Sequence, residues 1–249
     1  MSGHSHWAGI KHKKAEIDAK RGKVWSKLAR ALIVAARSGG GDPAHNLSLR
    51  YAIDKAKAAN MPKDTIDKAV KKGTGEIAGA TFEQALYEGY GPGGVAIMAE
   101  ALTDNRSRTA PEIKRIFERH GSALGTSGCV NWMFHKKGLI TVATDKVAED
   151  ELLDIALGAG AEDLQNMGEV YEITCDTSAY EKLKQVLQEK EIPTLVAEIS
   201  MVPQSNVPVE DAATARKVIA LMEALEDHDD VQNVYANFDI PDQVMAQIS

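Results

Sequence analysis

Apolar residues recur at positions 24, 25, 28, 29, 32, 33 and 36, while Lys23, Lys27, Arg30 and Arg37 fall on the other side. That spacing predicts an amphipathic helix, and "SGGGDP" ends it with glycines and a proline. "LSLRYAIDKAKAAN" (47–60) predicts a second helix with Leu49, Ala52, Ile53 and Ala56 on one face. "MPKDTIDKAVKKG" (61–73) predicts a third, opened by proline and closed by lysines and glycine. After a linker-like "GTGEIAGAT" the period changes to that of strands. "FEQALYEGY" (82–90) and "VAIMAEALT" (95–103) flank the turn "GPGG", which makes a hairpin. A helix follows at 108–121 with Ile113, Ile116 and Phe117 inward, then a strand at 129–134.

From "GLITVAT" (138–144) the pattern reads strand, helix, strand, strand, helix, strand up to residue 202, a complete ferredoxin-like unit. The helix at 210–226 and the strand at 231–238 cannot form a domain alone, so they complete the earlier hairpin unit. The expected fold class is α+β: an N-terminal helical bundle followed by two ferredoxin-like α/β domains, one inserted into the other. The expected boundaries are 1–79 for the basic helical domain, 80–134 plus 205–249 for a discontinuous α/β domain, and 135–204 for the inserted one. Short connections are expected at 135–137 and 203–209.

Composition adds that aromatic residues are only 5% of the 249, so the core rests on Ala, Val, Ile and Leu. The run "ALIVAA" (31–36) is far short of the ~20 residues that span a bilayer. The polar start lacks the apolar stretch of a secretory signal, and Glu16 and Asp18 argue against a mitochondrial presequence. A cytoplasmic chain with reduced Cys129 and Cys175 is expected. Charge changes the picture most. Net charge is −7, yet residues 1–72 hold 16 Lys and Arg against 6 Asp and Glu, whereas 73–249 hold 13 against 30. A segment at +10 within an acidic chain suggests a face for a polyanion rather than a merely solvated surface.

The head, "MSGHSHWAGIKHKKAEIDAKRGK", carries His4, His6 and His12. A zinc site needs three or four ligands fixed by a fold, and residues 1–12 have no Cys, Asp or Glu. A phosphate-gripping arm uses every residue type present. Lys11, Lys13, Lys14, Lys20, Arg21, Lys23 and Lys27 neutralise phosphates, and His4 and His6 hydrogen-bond them. Trp7 stacks on an exposed base or pins the arm to the bundle. "YEGYGPGG" (87–94) has no Gly-Lys-Ser/Thr after it and is a hairpin turn rather than a phosphate loop. In "TDNRSRT" (103–109), Asp104 or Asn105 can cap a helix. Arg106 and Arg108 are then either solvated or part of an anion-friendly corner beside free N–H groups. Ser127 and Cys129 lie near His120 and His135 in sequence, but no Gly-x-Ser-x-Gly elbow is present and Cys129 suits packing better. Glu226, Asp227, Asp229 and Asp230 around His228 lack the ligand spacing of a calcium loop; they form a charged helix end, or else dock a basic partner or repel nucleic acid from the wrong face. No catalytic residue, metal or cofactor is expected.

In order, "MSGHSHWAGIKHKKAEIDAKRGK", "GGGDP", "ANMPKDTI", "YEGYGPGGVAIM", "TDNRSRT", "GTSGCV", "GAGAEDL" and "ALEDHDDVQNVYANF" resemble the YebC/PmpR family, which includes the mitochondrial translational activator of cytochrome oxidase. The resemblance spans nearly the whole chain. It implies three domains, a helical one and two α/β ones with one interrupted by the other, and no known enzymatic activity. It also implies a divided role, since bacterial members are described as DNA-binding transcriptional regulators. The mitochondrial member acts in translation, and bacterial relatives are linked to ribosomes stalled on proline-rich chains. The residues themselves favour the ribosome: no helix-turn-helix spacing is visible, and Trp7 with the glycine-rich loops suits irregular RNA. The partner expected is nucleic acid, as ribosomal RNA or DNA, with neither a membrane nor a small-molecule substrate.

Overall fold

The computed structural model describes residues 21–248. The described chain begins with three helices, α1 (Arg21–Gly39), α2 (Leu47–Ala58) and α3 (Lys63–Thr74). Their apolar faces meet in a core of Leu32, Ile33, Ala36, Leu49, Ala56, Ile66 and Ala69. Asn46 joins the end of α1 to the start of α2. Its Oδ1 accepts from the Leu49 N–H at 3.0 Å, and its Nδ2 donates to the Ala35 and Gly40 carbonyls at 2.8 Å. Gly73 lets α3 lie against α1, because a Cβ there would sit 2.5 Å from the Ile33 carbonyl oxygen.

The hairpin forms as expected. β1 (Glu83–Tyr90) pairs antiparallel with β2 (Ala96–Thr103), in a register that sets Tyr87 opposite Ala99. α4 (Arg106–Arg119) follows, then β3 (Ala123–Leu124), which pairs with the end of β1. Near the chain end α7 (Ala212–Glu226) leads into β9 (Val231–Ala236), which lies along β2 and gives the order β3-β1-β2-β9. α4 and α7 cover one face, where Ile113, Phe117, Val218, Leu221 and Leu225 pack on Ile97, Ala99 and Ala101. Ala96, Met98 and Tyr235 face the other way and pack with Val130 and Phe134.

The second sheet runs β5-β6-β4-β7. Its elements are β4 (Phe134–Ala143), α5 (Glu149–Ala159), β5 (Ala161–Asn166), β6 (Val170–Cys175), α6 (Tyr180–Glu189) and β7 (Thr194–Pro203). This is the β-α-β-β-α-β connectivity of the ferredoxin-like unit, with Ile140, Val142, Leu152, Leu183 and Leu187 in its core. A short parallel pair, β8 (Val207–Pro208) with β10 (Phe238–Asp239), and α8 (Asp242–Met245) complete the described strands and α-helices. The α+β class is therefore observed.

One strand differs from expectation. Residues 129–133 are turn and a 3₁₀ segment (Asn131–Met133), and residues 135–137, expected as a connection, lie inside β4. The cause is Glu88 on β1. Its carboxylate accepts the N–H groups of Gly128, Val130 and Asn131 at 2.7, 2.9 and 2.7 Å. N–H groups spent on a side chain cannot join a ladder, so the backbone curls and strand pairing begins only at Phe134.

Candidate nucleic-acid interface

Of the cations expected to grip phosphate, Lys11, Lys13, Lys14 and Lys20, together with His4, His6 and Trp7, lie outside the described residues. Arg21 opens α1. Lys23 and Lys27 share a stripe of α1 with Arg30, and this stripe is already engaged within the chain. Lys23 Nζ donates to the Asp227 carbonyl at 3.2 Å and lies 3.9 Å from the Asp229 carboxylate. Lys27 Nζ donates to the Glu226 carbonyl at 2.5 Å, and Arg30 to the Asp229 carbonyl at 2.5 Å. The basic partner that the acidic "EDHDD" segment docks is thus α1 of the same chain.

Asp230 is the centre of this contact, with its side chain only 2% exposed. Oδ1 accepts from Arg30 at 2.8 Å, and Oδ2 accepts from Arg108 and from the Thr109 hydroxyl at 2.6 Å each. Burial alone would raise this carboxyl. The Thr109 hydroxyl, Arg108 and Arg30 outweigh it and hold the pKa below the usual value. His228 supports the loop from within. Its Nδ1 accepts the Asp230 N–H at 3.1 Å, which leaves the proton on Nε2 to be donated to Glu112 at 3.0 Å.

"TDNRSRT" folds as its composition predicts. Asn105 caps α4 by accepting the Arg108 N–H at 3.1 Å. The two arginines diverge. Arg106 turns back to Glu83 at 3.2 Å and to the Gln84 carbonyl at 2.5 Å, while Arg108 joins Asp230. Neither points at the free N–H groups of the cap, so the anion corner is filled by the protein's own groups.

The open cations are ones the sequence did not single out. Arg50 and Lys57 on α2, and Lys63, Lys68, Lys71 and Lys72 on α3, are exposed and have no ion pair among the described residues. Their signal was available: on α3 the lysines fall opposite Ile66, Ala69 and Gly73, which pack inward. On α4, Arg115 and Arg119 are likewise exposed and unpaired among the described residues. With Lys23, Arg30 and Arg108 they line a groove that also holds Glu112 and Asp227–Asp230.

The remaining candidates separate. Cys129 lies under Glu88, and burial together with the Glu88 charge raises its thiol pKa, the opposite of nucleophile activation. His120 bonds the Ile116 carbonyl and His135 bonds Gln204, so neither serves Cys129. No group of three metal-ligating side chains occurs among the described residues. A cleft of about 1560 Å³ opens between α1, the β1–β2 face and β7, and exposed Val24, Leu86 and Leu195 face into it.

Fold and surface together define a class: α+β proteins in which a basic three-helix bundle is latched onto two acidic sheet units. Two family models cover the chain, "TACO1/YebC protein N-terminal domain" over residues 5–76 and "TACO1/YebC second and third domain" over residues 82–238. The chain belongs to the TACO1/YebC family. It is 53% identical to a protein of Halothermothrix orenii and 52% identical to one of Dictyoglomus turgidum. In both cases all of this chain and 99–100% of the relative are covered, and each relative is named "Probable transcriptional regulatory protein". A crystal structure of a conserved hypothetical protein from Aquifex aeolicus superposes with a TM-score of 0.84 at 51% identity, covering 95% of this chain and 97% of that one.

Proposed function

We propose that this protein is a non-enzymatic, nucleic-acid-binding regulator of gene expression that works in the cytoplasm as a ribosome-associated translation factor. The observation that carries the nucleic-acid reading is the row of unpaired cations on α2 and α3, at the outside of a segment with a net charge of +10 in an acidic chain. Such a field attracts phosphate, while the acidic remainder of the chain repels it, so a polyanion is directed to the helical face. On this reading the chain acts through three parts, 1–79, 80–134 with 205–249, and 135–204, the first of them gripping RNA. Relief of stalling on proline-rich chains is the task that the family resemblance suggests.

A second reading, DNA-binding transcriptional regulation, is favoured by the names of the relatives and by one structural detail. Four residues, 59–62, separate α2 from α3, which is a helix-turn-helix spacing that the sequence did not reveal. Against it, the first two turns of α3 present Asp64 and Asp67 beside Lys63 and Lys68, and carboxylates there would meet backbone phosphates.

The test is co-sedimentation with ribosomes beside binding to promoter duplexes, at matched near-physiological salt. Ribosome association with weak, sequence-indifferent duplex binding is expected. Duplex binding that persists where ribosome association vanishes overturns the translation reading. Replacing Lys68, Lys71 and Lys72 by Glu is expected to abolish association while leaving the thermal midpoint within a few degrees, and unchanged association would remove the cationic row from the argument.

A further inference from the structure

Glu88 is a buried carboxylate, 3% exposed, whose three hydrogen bonds go to loop N–H groups rather than to an α-helix or a strand ladder. They fix the loop 125–132, "GTSGCVNW". The Glu88 carbonyl adds a fourth tie by accepting the Gly125 N–H at 2.7 Å. Gly125 is pressed onto Cys129, so that a Cβ there would stand 2.5 Å from its sulfur. Val130 and Phe134 anchor the far end in the core. On this rigid base stand two aromatic residues that the core does not use. Trp132 is 63% exposed and Tyr90 41% exposed. Their Nε1–H and hydroxyl both donate to the Cys129 carbonyl, each at 3.2 Å, which orients the two side chains about one point. Loops preorganised to this degree, with a large aromatic held in water, mark recognition sites.

Charge selects the partner. From Arg119 to Thr144 there is no Asp or Glu, although residues 73–249 hold 30 of them. Within that stretch Arg119 and Lys136 have no ion pair among the described residues. The segment that carries Trp132 has no carboxylate of its own, and the one that reaches it, Glu88, is buried and spent on three backbone N–H groups, which suits an anionic polymer with exposed rings.

We propose that Trp132, with Tyr90 beside it, is a stacking platform for an unpaired nucleobase, a second contact to nucleic acid away from the lysines of α2 and α3. This rests on the nucleic-acid reading above. Stacking needs an open base, so the platform distinguishes single-stranded or looped RNA from a blunt duplex. The test uses the full chain and fluorescein-labelled single-stranded and blunt double-stranded RNA 16-mers, read by anisotropy. Trp132→Ala is expected to weaken single-strand binding about 5- to 150-fold, the range for losing one stacked base, and to leave duplex binding unchanged. Trp132→Phe is expected to recover most of the loss. Tryptophan emission of the wild type should be quenched by the single strand more than that of Trp132→Phe. Wild-type binding that neither substitution alters, with equal quenching, overturns the platform and leaves the broader reading standing. Loss of single-strand and duplex binding alike by Trp132→Ala overturns it too. A wild type that binds no RNA overturns both.

Discussion

Asp230 and Glu88 are buried acids solved in two ways. Glu88 is neutralised by backbone N–H dipoles and Asp230 by two guanidinium groups and a hydroxyl. For both, burial works to raise the pKa and the partners win, so both stand below the ordinary carboxylate value. The sign of the linkage follows. A carboxyl whose pKa is lower in the folded chain adds stability above its unfolded pKa, near 4, and that stability is lost as pH falls through the folded value. The unfolding free energy is therefore expected to be flat in this respect from about pH 5 upward and to fall below about pH 4. Urea titrations across pH would show it, and Glu88→Gln with Asp230→Asn should flatten that acid limb. Singly, Asp230→Asn is expected to cost about 1–3 kcal/mol, below the usual loss for breaking a buried pair because Arg108 keeps access to water. A change under 0.5 kcal/mol in urea would show that Asp230 does not hold the latch.

At the scale of elements, Gly73 sets how closely α1 and α3 pack. Gly73→Ala would favour the helix by propensity, by up to about 1 kcal/mol. The new Cβ would meet the Ile33 carbonyl and the Ala36 Cβ at 2.5 and 2.6 Å. Overpacking of this kind costs about 1–3 kcal/mol, so a net loss in thermal or urea unfolding is expected. Elements with a clear local signal were legible: the stripe of α1, the two strands flanking the GPGG turn, and the β-α-β-β-α-β run after residue 134 all appear in the structure. The strand expected at 129–134 was not formed, because "CVNWMF" has strand composition and nothing nearby announces the carboxylate that takes its N–H groups. Glu88 lies 40 residues earlier in a motif that reads as a turn. A side-chain-to-backbone tie over that distance leaves no local trace.

For the whole molecule, charge segregation was legible and its use inside the fold was not. Counting cations gave a basic segment, but not that Lys23, Lys27 and Arg30 would be matched by residues 226–230, some two hundred positions away. Composition knows nothing of such pairing. The helical part also touches the second sheet unit, through Lys55 with Glu198 at 2.7 Å and an edge-to-face contact of Tyr51 with Tyr180. The three packed regions are thereby tied at two separate points. Arg30→Ala weakens one tie by removing its contacts to Asp229 and Asp230, together with its stacking over Phe82. It is expected to increase protease sensitivity or amide exchange in α1 while the second sheet keeps its protection, and uniform protection throughout would count against a latch.

The latch also bears on how ions leave the surface when a polyanion arrives. A cation already facing a carboxylate or carbonyl displaces no phosphate-bound counterion unless it first lets go of that partner. Lys23, Lys27 and Arg30 should then be nearly silent in the salt dependence of binding, while each open lysine that meets a duplex phosphate adds about 0.9 to the log–log slope. The slope becomes a count of free charges, and a steeper one after Asp230→Asn would record the latch opening as a change in stoichiometry of released salt.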